Sequence, residues 1–161
     1  MSLKLTYQSG IYQLKTSQIL NSEIETVWDY FSKPKNLNEL TPKDMDFKIT
    51  SSPSEEAYAG QIITYSIKIL PFVRSNWVTE ITHVENQKIF IDEQRFGPYV
   101  MWHHEHHFKS TPDGKTAMND IVSYKLPLGF LGRLVAGKII GNRIKKIFNF
   151  RETATDAIFR K

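Results

Sequence analysis

The chain has 161 residues, 40% apolar and 24% charged, enough for one domain with a sizeable core and far from the composition of a disordered chain. It contains no cysteine, which excludes disulfides, thiolate metal sites and cysteine nucleophiles. The net charge of +4 is modest, and no apolar run approaches the ~18 residues that cross a bilayer.

Met1 to Gly10 has no basic stretch followed by an apolar core, so no secretory leader is expected and the cytoplasm is the default location. Ile11 to Leu20 mixes β-branched and polar residues and reads as a strand. Ser22 followed by Glu25 fits a capping box, and Ile24, Val27, Trp28 and Phe31 form one apolar face of a short helix that Pro34 ends. A second short helix is expected over Asn36 to Leu40, before Thr41-Pro42.

Strands are then expected at Phe47 to Ser51, Ile62 to Leu70, Arg74 to His83, Ile89 to Phe96, Val100 to Ser110 and Thr116 to Leu126. Pro71, Glu85-Asn86-Gln87, Gly97-Pro98 and Pro112-Asp113-Gly114 punctuate them. Such short turns favour an antiparallel meander over βαβ units. After Pro127, Leu128 to Phe159 reads as one long helix with Gly137, Ile140, Gly141, Ile144 and Phe148 on one face. Each interior glycine costs ~1 kcal/mol relative to alanine, so the pair serves either close backbone approach or room for a ligand. No repeat or linker divides the chain, and residues 1–161 are expected to form a single α+β domain.

Alternation assigns the faces of the strands. Trp102, His104, His106 and Phe108 share one side, bounded by large aromatics, and are placed inward; His103, Glu105 and His107 face out. Met118, Asp120, Val122, Tyr124 and Leu126 form the inner side of the next strand. A three-residue turn pairs Thr111 with Lys115, which sets His106 opposite Asp120, His104 opposite Val122 and Trp102 opposite Tyr124. A His106–Asp120 hydrogen bond is then available. Phe90, Asp92, Gln94 and Phe96 share a face of their own strand, and if it is the inner one Asp92 and Gln94 join the stripe.

This polar stripe admits three readings. It can be a self-satisfied network in a sheet core. It can orient a mostly apolar ligand. It can also do chemistry, with His106, His104 and Asp120 as acid/base groups, or with an H-x-H pair and Asp120 holding Zn²⁺. No metal or cofactor is predicted, since neither a phosphate loop nor a dinucleotide fingerprint is present.

As a set, several segments resemble the START/Bet v 1-like (SRPBCC) superfamily, and within it the polyketide cyclase/dehydrase and lipid-transport-like proteins of bacteria. They are Val27-Trp28-Asp29-Tyr30-Phe31 with Leu37 and Thr41-Pro42, and Phe90-x-Asp92-x-Gln94 leading to Gly97-Pro98-Tyr99. Trp102-x-His104-x-His106-x-Phe108 and Asp120-x-Val122-x-Tyr124-x-Leu126-Pro127-Leu128-Gly129 complete it. The resemblance runs from about Tyr12 to the C-terminal helix. It implies a helix-grip fold, a curved antiparallel sheet wrapped around the long helix with a hydrophobic cavity between them.

On that basis the expected function is binding of a small hydrophobic ligand (a lipid, isoprenoid, quinone or aromatic polyketide-like molecule), as a carrier or sensor. The alternative is a cyclase or dehydratase using His106, His104 and Asp120. The expected ligand-binding residues are Trp28, Phe31, Trp77, Phe90, Asp92, Gln94, Trp102, His104, His106, Phe108, Asp120, Val122, Tyr124, Gly137, Gly141 and Ile144. No nucleic-acid partner and no obligate protein partner are expected. The basic C-terminal segment (Arg133, Lys138, Arg143, Lys145, Lys146, Arg151, Arg160 and Lys161 against Glu152 and Asp156) allows a third reading, transient contact with an anionic membrane surface.

Overall fold

Among the described residues, eight strands follow the alternation of the sequence and pair in the order β1-β2-β8-β7-β6-β5-β4-β3, every neighbouring pair antiparallel. They are β1 (Ser2–Gln8), β2 (Ile11–Leu20), β3 (Lys48–Ile49), β4 (Ile62–Leu70), β5 (Val73–Glu85), β6 (Ile89–Phe96), β7 (Met101–Ser110) and β8 (Thr116–Lys125). Helix α1 (Ile24–Phe31) and two 3-10 turns, Pro34–Asn38 and Lys43–Met45, lie between β2 and β3, and helix α2 (Gly129–Ile158) follows β8. This is a helix-grip α+β architecture, described by a computed structural model for residues 2–70 and 72–160. Pro71, expected to break a strand, lies outside the described residues, as do Lys161 and the side chain of Arg133.

The expected strands and long helix are present, and one strand was not expected. Ser2–Gln8 pairs with β2 through the tight Ser9-Gly10 turn, where both residues adopt positive φ (51° and 88°), the conformation a two-residue hairpin needs. The β7–β8 turn closes as the spacing predicts: Thr111 N–H donates to the Lys115 carbonyl, with Gly114 at φ 74°. Register shifts in β5, between Val78 and Thr79 and between Ile81 and His83, mark bulges that bend the sheet.

Two local expectations are corrected. The capping box does not form: α1 starts after Glu23 and makes no side-chain cap bond. Ser22 is buried instead, and its carbonyl accepts from Thr116 Oγ1 at 2.8 Å, so β8 fixes the entry to the helix. The second short helix is a 3-10 turn over Pro34–Asn38, started by the proline that ends α1.

Among the described residues the core divides into three clusters. Leu14, Val122, Tyr124, Leu126, Ile140, Ile144 and Phe148 join the sheet to α2. Val27, Phe90, Phe108, Met118 and Phe159 gather around α1 together with Trp28 and Phe31. Met45, Phe47, Ile67 and Trp77 form the third, under the 3-10 turns. The glycine question resolves toward packing at Gly141: a Cβ there would lie 3.1 Å from Leu5 Cδ2 and 3.8 Å from the Tyr124 hydroxyl.

Tyr124 is fully buried, and its hydroxyl has no hydrogen-bond partner among the described residues. Burial pushes that phenol far above its ordinary range, so it stays protonated. An unpaired buried hydroxyl costs about 1–3 kcal/mol. Tyr124→Phe is therefore expected to raise stability by about 1 kcal/mol in urea melts; a loss of similar size would mean that the hydroxyl has a partner.

Candidate functional site

Between α2 and the concave face of the sheet lies a cavity of about 180 Å³. Its walls are mostly rings and aliphatic chains: Leu37, Met45, Phe47, Ile63, Tyr65, Ile67, Trp77, Phe90, Tyr99 and Trp102, with Ile144 and Phe148 from α2. Period-two alternation puts Ile63, Tyr65, Ile67 and Ile69 on the inner side of β4. Helical spacing brings Ile144, Phe148 and Arg151 to the same side of α2.

Polar side chains also line it, including Ser32, Lys33, Asn36 and Thr41 around the first 3-10 turn. Asp92, His104 and His106 line it from β6 and β7. The Tyr65 hydroxyl is 2.9 Å from Thr79 Oγ1. Arg143 and Arg151 reach it from α2. Arg143 is tied to Asp44 at 2.7 Å, while the Arg151 guanidinium carbon lies 5.2 Å from the Phe148 ring centroid. The Nε of each arginine is buried without a hydrogen-bond partner among the described residues.

The histidines and aspartates form one cluster. Asp92 stands opposite His104 on the neighbouring strand, and Asp120 stands opposite His106. The aligned hydrogen bonds nevertheless run diagonally, His104 Nε2 to Asp120 Oδ1 at 3.1 Å and His106 Nε2 to Asp92 Oδ2 at 3.2 Å. His104 Nδ1 is also 3.4 Å from Asp92 Oδ2. His106 Nδ1 is 2.8 Å from Asp120 Oδ1 but out of line for a hydrogen bond, so the expected His106–Asp120 bond is a close contact only. Thr16 Oγ1 donates to the other oxygen of Asp120 at 3.2 Å.

Burial alone would raise both carboxyls, but the hydrogen bonds and charge of the two imidazoles outweigh it and hold Asp92 and Asp120 well below the usual carboxylate range. For His104 burial acts downward, and the two carboxylates overcome it, leaving its pKa raised. Both ring nitrogens of His104 face a carboxylate oxygen, which suits an imidazolium. His103 and His107 lie on the outer face, beside Glu93 and Glu105 at 2.8 Å each.

This arrangement of sheet and helices recurs in solved structures. Protein Ms6760 from Mycobacterium smegmatis matches with a TM-score of 0.73 at 12% identity, over 99% of this chain and 96% of that one. A START superfamily protein from Mycobacterium smegmatis matches with a TM-score of 0.69 at 8% identity, over 91% and 96%. Ginseng major latex-like protein 151 from Panax ginseng matches with a TM-score of 0.69 at 10% identity, over 95% and 100%. The chain has the START/Bet v 1 fold. Neither a protein-family model nor a curated protein matches the sequence.

Of the residues singled out from sequence, Phe31, Trp77, Phe90, Asp92, Trp102, His104, His106 and Ile144 border the cavity. The others stand elsewhere, for identifiable reasons. Trp28 and Phe108 pack edge to face at 5.5 Å inside the α1 cluster. Val122 and Tyr124 are covered by Leu14 and α2. Gln94 clamps the β6–β7 turn, donating to the Tyr99 carbonyl at 2.7 Å and accepting from Tyr99 N–H at 3.2 Å. Asp120 sits behind the histidines, and the buried Gly137 and Gly141 are off the cavity wall. Tyr65, Tyr99, Phe148, Arg143 and Arg151 border the cavity although they were not among the expected ligand residues. The alternation of β4 and the helical spacing from Ile144 to Arg151 are the signals that point to Tyr65, Phe148 and Arg151.

Proposed function

We propose that the protein binds a small, mostly apolar molecule in this cavity, as a carrier or sensor. The observation that carries the reading is the cavity itself, a wall predominantly of aromatic and aliphatic side chains interrupted by polar groups, the usual make-up of a small-molecule site. Burying apolar ligand surface contributes roughly 25 cal/mol per Å², so such walls bind without a charged anchor. The two arginines add orientation. Arg143 is paired with Asp44, whereas Arg151 has no carboxylate partner among the described residues, which favours a ligand with a carboxylate or similar acceptor at one end.

Among the described residues no helix is long and apolar enough to cross a membrane. The basic charge of α2 is partly used within the molecule, since Arg143 and Lys146 lie 2.7 and 3.5 Å from Asp44.

Native mass spectrometry of gently purified protein tests for a retained ligand, and thermal melts test a panel of medium-chain and aromatic acids beside their alcohols. A ligand at a hundred times its Kd contributes about 2.7 kcal/mol, a rise of roughly 5–10 °C for a domain of this size. The acids are expected to outperform the alcohols, and Arg151→Met to remove that difference. Ile63→Trp, which fills the cavity from β4, is expected to abolish the shift while leaving the fold intact. No recovered ligand and no shift across the panel would refute the reading.

A further inference from the structure

Three members of the buried cluster, Asp92, His104 and His106, border the cavity, and the fourth, Asp120, stands behind them. One ligand atom from each of the three lies within 4.8 Å of the others. The distances from Asp92 Oδ2 are shorter still, 3.4 Å to His104 Nδ1 and 3.2 Å to His106 Nε2. Metal bonds of ~2.0–2.2 Å in a tetrahedral arrangement hold neighbouring ligand atoms roughly 3.3–3.6 Å apart.

The remaining nitrogen of each ring faces Asp120 Oδ1, at 3.1 Å from His104 Nε2 and 2.8 Å from His106 Nδ1. Metal-bound imidazoles almost always direct their second N–H to a carboxylate or carbonyl, which fixes ring and tautomer. Asp120 holds His104 Nε2 in line, with Thr16 Oγ1 donating to its other oxygen, while its contact with His106 Nδ1 is close but out of line. His106 Nδ1, buried without an aligned acceptor, is the N–H this arrangement would employ.

We propose that Asp92 Oδ2, His104 Nδ1 and His106 Nε2 bind one divalent transition-metal ion. Asp120 orients the His104 imidazole from behind and lies against that of His106, and the remaining coordination positions open into the cavity. Two neutral imidazoles, two carboxylates and a divalent ion leave the cluster without net charge. Two imidazole nitrogens and one carboxylate oxygen suit Zn²⁺, Fe²⁺ or Co²⁺ rather than Mg²⁺ or Ca²⁺, which take oxygen ligands. The open positions would accept an oxygen donor on the cavity's occupant. This goes beyond ligand binding by the apolar walls, and its failure would leave that reading intact because the probe is the metal alone.

The test is titration of the chelator-stripped full chain with Co²⁺ and Zn²⁺, following heat, cobalt absorption and melting temperature. One equivalent per chain is expected, with visible cobalt bands of low coordination number and a raised melting temperature. Asp92→Asn and His106→Gln should abolish binding. Asp120→Asn should weaken it 10–100-fold, as losses of an outer-shell partner do. The outer-face variants His103→Gln and His107→Gln should leave it unchanged. Should the buried variants unfold, ¹⁵N spectra of the unmodified chain decide, with Zn²⁺ shifting His104 Nδ1 and His106 Nε2. Absence of binding, or binding that depends on His103 and His107, would overturn the proposal.

Discussion

Asp120→Ala is expected to cost about 3–5 kcal/mol of folding stability, the usual penalty for leaving buried charge without its partner. The side chain is only 8% exposed and faces both imidazoles of the cluster, at 3.1 and 2.8 Å. Its removal also frees Thr16 Oγ1 inside the sheet. The dependence on pH has a defined sign. The Asp120 carboxyl is held below its ordinary value, so its contribution is complete above about pH 4 and is lost as pH falls toward the lower folded value. His104 is raised, so its contribution is complete below about pH 6.5 and is lost as pH rises through the folded value. Urea melts between pH 3 and 9 should therefore show Asp120→Asn closest to the unmodified protein at the acid end. A loss under 1 kcal/mol at pH 6 would mean that the four groups are not energetically coupled.

Phe148→Ala is expected to cost about 3–5 kcal/mol, the range for deleting a buried ring. Phe148 is 3% exposed, packs edge to face with His104 at 5.7 Å and lies under the Arg151 guanidinium. It joins α2 to the sheet in the cluster of Leu14, Val122 and Ile144, and it borders the cavity. Stability and binding should therefore respond in different ways. The melting temperature falls, while the enlarged space admits bulkier members of the acid panel. A variant that keeps its stability would show that α2 is held mainly by its C-terminal end, where Gln18 donates to Asp156 at 2.7 Å and accepts from Thr155 at 3.1 Å.

Much of the sheet was legible because a period of two leaves little freedom in its faces. Fixing one turn, Thr111 to Lys115, fixed every pair from His107–Asn119 to Met101–Lys125. Placement of His104 and His106 inward followed from the aromatics on either side of them. What remained hidden needs three dimensions. Opposite residues were expected to bond, yet the aligned bonds run diagonally, because imidazole length carries each ring nitrogen past its neighbour. Inward-facing was also not the same as cavity-lining: Val122, Tyr124 and Phe108 point inward and are covered by packing. Ser2–Gln8 was missed because its alternation is mostly exposed, with Leu3 and Leu5 as its partly buried residues against α2.

The pairing of β2 with β8 bears on how the molecule assembles. Gln13 bonds Ser123 across 110 positions of the chain, and Leu14 meets Val122 in the same register. Loop closure over such a span precedes any gain from the contact, so folding is expected to be slow, on the order of milliseconds to seconds. During synthesis β2 lacks its second neighbour until β8 has emerged. The β1–β2 hairpin, closed by Ser9-Gly10, is a native pairing that local sequence can form early, masking one edge of β2 while the other waits for most of the chain.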